Sequence, residues 1–281
     1  MLLALLALQL LLSTGTASAA QQLTAPLLPT DPLDTHWDAE ASASGVNYCS
    51  FDNGTRVSKL PADFFGPEPC VFASGMVLRG NDALGGKGSA SGALVWGFAK
   101  PDAKVSCTVD SGAPVTATAD TATGRWELTL QEKGSPAART LVFATPGGTS
   151  VTLENVMFGA VFLCSGQSNM DFSVAPWGGG GCLDANETVA AAASGSLDDI
   201  RLKKSTGNWF NSSAAGKNKQ TGEMQPGYLV GQFSAVCYLT AMQIKKNIAG
   251  YADLPIGLMQ SSVGGTVIEE WMSTSALEVA S

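Results

Sequence analysis

The chain has 281 residues, 45% of them hydrophobic, enough to bury a sizeable core and to build two domains at roughly 100 to 200 residues each. Its 16 Lys and Arg stand against 24 Asp and Glu, and the formal charge of −8 repels a phosphate backbone, so nucleic acid is not an expected partner.

The first element is the apolar run Met1 to Leu12, followed by the small residues Thr16-Ala17-Ser18-Ala19-Ala20. A run this short does not reach the about 20 residues that cross a bilayer. It predicts a signal peptide over residues 1–19, entry into the secretory pathway, a secreted or lysosomal protein, and no membrane partner. Secretion in turn permits disulfides among Cys49, Cys70, Cys107, Cys164, Cys182 and Cys237, whose pairing the sequence leaves open. It also makes the sequons at Asn53, Asn186 and Asn211 candidate glycosylation sites. With no Cys-x-x-Cys pair and no Cys/His cluster, neither zinc nor another cofactor is expected.

Residues 20–65 are rich in Pro, Asp and Ser and read as an irregular leader. It holds the chain's one histidine, His36, expected as a solvated surface residue and not a catalytic base. Residues 66–158 read as a small antiparallel β-sandwich domain. Val105, Cys107 and Val109 alternate with polar neighbours, as do Trp126, Leu128 and Leu130. Further strands are expected at Leu94 to Ala99, Val115 to Ala119, Leu141 to Ala144 and Ser150 to Leu153.

At Gly159 the alternation stops. Ala160 to Cys164 is apolar at every position, which predicts a strand buried on both faces of a parallel sheet and the start of a second domain, residues 159–281. Cys164, inside that strand, is expected in packing or a disulfide. Ile200 to Leu202 is a further candidate strand. Phe233 to Ile248 keeps helical spacing through Phe233, Val236, Cys237, Ala241, Ile244 and Ile248, with Lys245 and Lys246 suited to the negative end and Gly250 as the stop. Pro255 to Met259 reads as another buried strand, and Thr266-x-x-Glu269 fits a capping box at the start of a last helix. Strand, helix, strand, helix is α/β alternation, with too few strands here for a complete doubly wound sheet.

Chemistry concentrates where the apolar strand runs into Ser165-Gly166-Gln167-Ser168-Asn169, because ligands bind beyond the carboxyl ends of strands in open α/β sheets. A serine held there on a tight turn can act as a nucleophile if a base and an oxyanion hole meet it. The glycine-rich Trp177 to Cys182 lacks the Lys and Ser/Thr of a phosphate loop and is expected as a flexible loop.

Gly166-Gln-Ser-Asn-Met170 resembles the first signature block of SGNH hydrolases, in the branch of the sialate O-acetylesterases. Phe233 to Tyr238, Pro255 to Trp271, Met76 to Arg79 and Val95 to Gly97 are similar to further stretches of that family. The resemblance implies a flavodoxin-like parallel sheet, incomplete here, behind the β domain. It implies Ser168 as the nucleophile and the N–H groups of Ser168 and of Gly264 or Gly265 as oxyanion donors, with Gln167 and Asn169 beside the substrate. The expected substrate is an O-acetylated sugar, sialic acid first. The family's Asp-x-x-His segment, which supplies the orienting acid and the base, does not occur in the 281 residues. The expectation is therefore a C-terminally truncated chain without activity of its own. Two rivals remain: a non-catalytic secreted glycan-binding or structural relic, and an acetyl esterase for another carbohydrate such as xylan.

Overall fold

The structure, a computed structural model, describes residues 46–48, 51–52, 55–56, 59–61, 72–81, 92–122, 124–147, 150–175, 181–204, 208–219 and 221–272. All lie in the compact unit Ala41–Ser281. The expected signal peptide, His36, Asn53, Cys49, Cys70 and residues 176–180 of the glycine-rich segment lie outside the described residues.

The segment read as irregular contains two short antiparallel ladders. In them β1 (Val46–Tyr48) pairs with β4 (Lys59–Pro61), and β2 (Phe51–Asp52) with β3 (Thr55–Arg56). The alternating segments that follow are strands. After β5 (Val77–Arg79) come β6 (Ala93–Phe98), β7 (Lys104–Val109), β8 (Val115–Thr118), β9 (Arg125–Leu130) and β10 (Ser135–Ala144). Period two places Val105, Cys107 and Val109 on one buried face of β7, and Trp126, Leu128 and Leu130 on one buried face of β9. The antiparallel pair β6 and β9 and the antiparallel strands β8, β7 and β10 share one apolar core. Burial there pushes the Cys107 thiol up to about 12.

Two strands expected separately, at Ser150 and at Ala160, are one. β11 (Ser150–Gly166) pairs antiparallel with β10 along its first part, then parallel with β5 at Met157 to Gly159, then parallel with β16 (Ile256–Ser262) from Ala160 onward. Its partner changes where the alternation ends in the sequence. Between them the chain forms α1 (Ser168–Asp171), α2 (Ala185–Ala193), β12 (Ile200–Lys204), β13 (Phe210–Asn211), the hairpin β14 (Gly216–Lys217) and β15 (Met224–Gln225), α3 (Tyr228–Gly231) and α4 (Ala235–Asn247). β12 runs parallel to β16, so β12, β16 and β11 stand side by side in register.

Two expectations are corrected here. The Ala160 to Cys164 run is not buried on both faces among the described residues: Ala160 and Cys164 are covered, but Leu163 is 69% exposed. The covered face is the one on which α4 packs, and a Cys164–Cys237 disulfide fastens strand to helix at a Cα–Cα distance of 5.9 Å. On α4, Cys237, Tyr238 and Ala241 are buried, whereas Val236 and Ile248, assigned to the apolar face by spacing, are about half exposed. The helix starts after Ser234, whose hydroxyl accepts from the Cys237 N–H, and Phe233 precedes that cap. At its other end Lys245 donates to Asp199 Oδ2 at 2.6 Å and to the carbonyls of Tyr251 and Leu254.

Candidate active site

β11 ends at Gly166, whose φ of +144° is open to glycine, and a Cβ there would stand 3.3 Å from the Met170 Cβ. The chain thereby turns at once from strand into the single turn of α1. Gln167 caps that turn: its side-chain carbonyl accepts from the Ser168 N–H at 3.3 Å and from the Ser168 hydroxyl at 2.8 Å. Ser168 is thus exposed at the carboxyl end of β11, with its proton directed at an amide oxygen, which is not a base.

The second half of the site arrives on β16. The Val263 N–H donates to the Gly166 carbonyl at 3.1 Å, carrying the chain past the end of β11 into the Gly264-Gly265 turn. A Cβ built on Gly264 would lie 3.8 Å from Ser168 Oγ and 3.9 Å from Asp171 Oδ2, so this backbone sits directly over the serine. Gly265 has φ +84°, a conformation L side chains rarely adopt. The shared sheet edge brings together two segments far apart in the sequence.

A polar network fastens these halves. Asp171 Oδ1 accepts from the Ser262 hydroxyl at 2.9 Å and from Gln260 Nε2 at 3.4 Å, and Gln260 Nε2 also donates to Ser262 at 2.8 Å. The carbonyl of the buried Gln260 side chain accepts from the Ser234 N–H at 3.0 Å. Gln260 therefore joins α1, β16 and the start of α4 through one amide group. Asp171, Gln260 and Ser262 were not among the residues singled out by the sequence. The available signal was a long polar side chain, Gln260, closing an otherwise apolar strand, where burial demands partners.

The capping box at Thr266 does not form. The last described helix is a short 3-10 turn, Ile268–Trp271, with no side-chain cap. The Thr266 hydroxyl is occupied instead, donating to the Val263 carbonyl and accepting from the Trp271 indole, each at 2.8 Å. Gln167 and Asn169 are both exposed beside Ser168. Of the two sequons described, Asn186 is exposed on α2, while the Asn211 amide donates to Asp198 at 3.2 Å and is partly buried. Among the described residues no group of His, Cys, Asp and Glu could hold a metal ion, and no helix is long and apolar enough to cross a membrane.

A mixed sheet with parallel strands and a few flanking helices is α/β hydrolase-like. Comparison with known proteins makes the kinship specific. No family model matches. The sialate O-acetylesterase of Mus musculus is 29% identical over 202 residues and that of Rattus norvegicus 30% identical over 209, in each case 67% of this chain and 35% of the relative. A crystal structure of a carbohydrate acetylesterase from Xanthomonas citri matches with a TM-score of 0.53 at 26% identity, over 74% of this chain and 43% of that one. Over two thirds of its length the chain is thus similar to sialate O-acetylesterases, and in fold to a carbohydrate acetylesterase. It spans about a third of the length of the curated relatives it matches.

Proposed function

We propose that this chain carries the nucleophile and part of the oxyanion hole of a serine esterase that removes O-acetyl groups from sugars, sialic acid foremost. The observation that carries the reading is the approach of Gly264 to Ser168, 3.8 Å from a built Cβ to Oγ. Ser168 Oγ attacks the acetyl carbonyl and a base takes its proton. The carbonyl oxygen gathers negative charge facing the N–H groups of Ser168 and of Gly264 or Gly265. The sugar hydroxyl then leaves with a proton, and water releases acetate from the acyl-serine. The Ser168 N–H now held by Gln167 has to turn toward that oxygen, which makes Gln167 a substrate-side residue. On this reading residues 66–158 are a β domain and residues 159–281 the first part of an SGNH hydrolase domain, reached through the secretory pathway.

The base is the step the 281 residues do not supply, since they hold His36 alone and no Asp-x-x-His. An unactivated serine is a weak nucleophile, and hydrolases deprived of a triad member keep only a small residual rate. Beyond a single slow acetylation of Ser168, the chain should therefore turn over 4-nitrophenyl acetate in the steady state no faster than its Ser168→Ala variant. Extended by the Asp-x-x-His part of a sialate O-acetylesterase, it should turn over faster by about two orders of magnitude or more, and only with Ser168 present. Turnover in the extended chain that ignores Ser168→Ala would sink the proposal and favour a non-catalytic relic. For secretion, the expected result is a glycosidase-sensitive mass shift on secreted protein from at least one of Asn53, Asn186 and Asn211, reduced by Asn186→Gln at that exposed position. Met1 retained, with no mass shift on glycosidase treatment, would contradict it.

A further inference from the structure

A cation stands at the edge of this site with no partner assigned to it by the esterase mechanism. Lys204 ends β12 in register with Gln260 of β16, and Gln260 is in register with Cys164 of β11. Residues in register on neighbouring parallel strands project to the same face, here the face on which α1 and α4 pack. Lys204 therefore reaches toward the network that holds Asp171 beside Ser168 and Gly264. It is partly buried, and among the described residues no carboxylate lies within ion-pair distance of it. Burial holds its ammonium below the usual lysine range, the charge of Asp171 acts in the opposite direction, and Lys219 adds a second positive charge nearby.

The oxygen of Asp171 closest to the sheet is already shared between Ser262 and Gln260. Lys204 thus stands partly buried at the carboxyl edge of the sheet, level with the Gln260 that binds Asp171, with its ammonium open to solvent or to a bound anion, in a protein whose net charge is −8. A cation so placed serves a bound anion. We infer that Lys204, supported by Lys219, forms a subsite for the carboxylate of an acidic sugar ester and selects acidic over neutral acetylated sugars. This rests on the esterase reading of Ser168 and deepens it, because a carboxylate elsewhere on the same sugar separates a sialate from a xylan residue. Lys204 acts as a specificity residue and takes no part in bond making.

Binding tests it on the full chain without requiring turnover. N-acetylneuraminic acid and its methyl ester differ by one negative charge, and both are titrated by calorimetry or ligand-observed NMR. The wild-type chain is expected to bind the acid about tenfold more tightly than the methyl ester. Lys204→Met, which keeps the apolar stem, should bring the two to parity, and Lys204→Arg should retain the preference. Equal binding of both forms by the wild-type chain would overturn the subsite and leave the esterase reading standing. A preference that survives Lys204→Met would remove Lys204 from the role. Binding of neither form would overturn the subsite, while the esterase reading stands or falls on the Ser168-dependent turnover of the extended chain.

Discussion

A methyl group at Gly264 and one at Gly265 have different consequences, and the difference separates shape from function at the residue scale. At Gly265, φ +84° makes any side chain strained, so Gly265→Ala should cost about 1 to 2 kcal/mol in urea unfolding. At Gly264 the new Cβ would meet Ser168 Oγ and Asp171 Oδ2 at ordinary contact distance. Gly264→Ala should therefore change stability by less than about 0.5 kcal/mol while crowding the position a carbonyl oxygen must occupy. Lys204 gives a third case. Lys204 is partly buried and burial holds its ammonium below the usual lysine range, so Lys204→Met should melt no lower than wild type, and its own contribution follows a definite sign. A lysine whose folded value is depressed binds protons less readily when folded, so stability rises with pH through the alkaline window between folded and unfolded values. A thermal melt series from neutral to alkaline pH should show that rise shrink in Lys204→Met. The placement of Ser168 beside the Gly264-Gly265 turn was legible in the sequence because each sits at a strand-to-turn signal. Asp171, Gln260 and Lys204 were not, because their contacts depend on cross-strand register, which no local pattern encodes.

At the scale of elements, half-buried strands were legible wherever one face meets the core and the other meets solvent, as in β7 and β9. The single strand β11 was read as two, because a strand that trades an antiparallel partner for a parallel one changes its burial pattern midway without changing its backbone. The amphipathic reading of α4 was correct for Cys237 and Ala241 and wrong for Val236 and Ile248, since the helix rests on the sheet along a narrower stripe than its apolar residues outline. Its tether is the Cys164–Cys237 disulfide, which closes a loop with a sequence separation of 73. By loop-closure entropy a bridge of that span stabilises by about 4 kcal/mol. The double variant Cys164→Ser with Cys237→Ser should lose about that much in chemical denaturation, and loss of less than about 1 kcal/mol would show that packing alone holds α4 to the sheet.

For the molecule as a whole, two apolar cores lie to either side of the partner change in β11, one built from residues 72–158 with Trp209 and the other from residues 164–258. The buried Arg201 links the two regions: its guanidinium donates to the Asp198 carbonyl at 2.7 Å, to the Gly75 carbonyl and to Asn155 Oδ1 at 3.2 Å. Burial pulls this guanidinium below its usual value while Asp198 and Asp199 oppose the shift. Arg201→Met leaves three acceptors without their donor and should cost about 2 to 3 kcal/mol in urea unfolding, with both cores melting together. The change from alternating to continuous apolar sequence falls where β11 exchanges β10 for β16 as its partner. The exposed Leu163 face was not legible, because a continuous apolar run states only that a strand can be buried on both sides.

Where an acetyl group first lands tests the role of Ser168 most directly. The 281-residue chain, exposed briefly to 4-nitrophenyl acetate and digested, should carry acetyl on Ser168 before any other serine, because the neighbouring Gly264 backbone stabilises attack there and water lacks a base to release the product. Acetyl spread over exposed serines and lysines at comparable rates, with Ser168 unmodified, would contradict the nucleophile assignment.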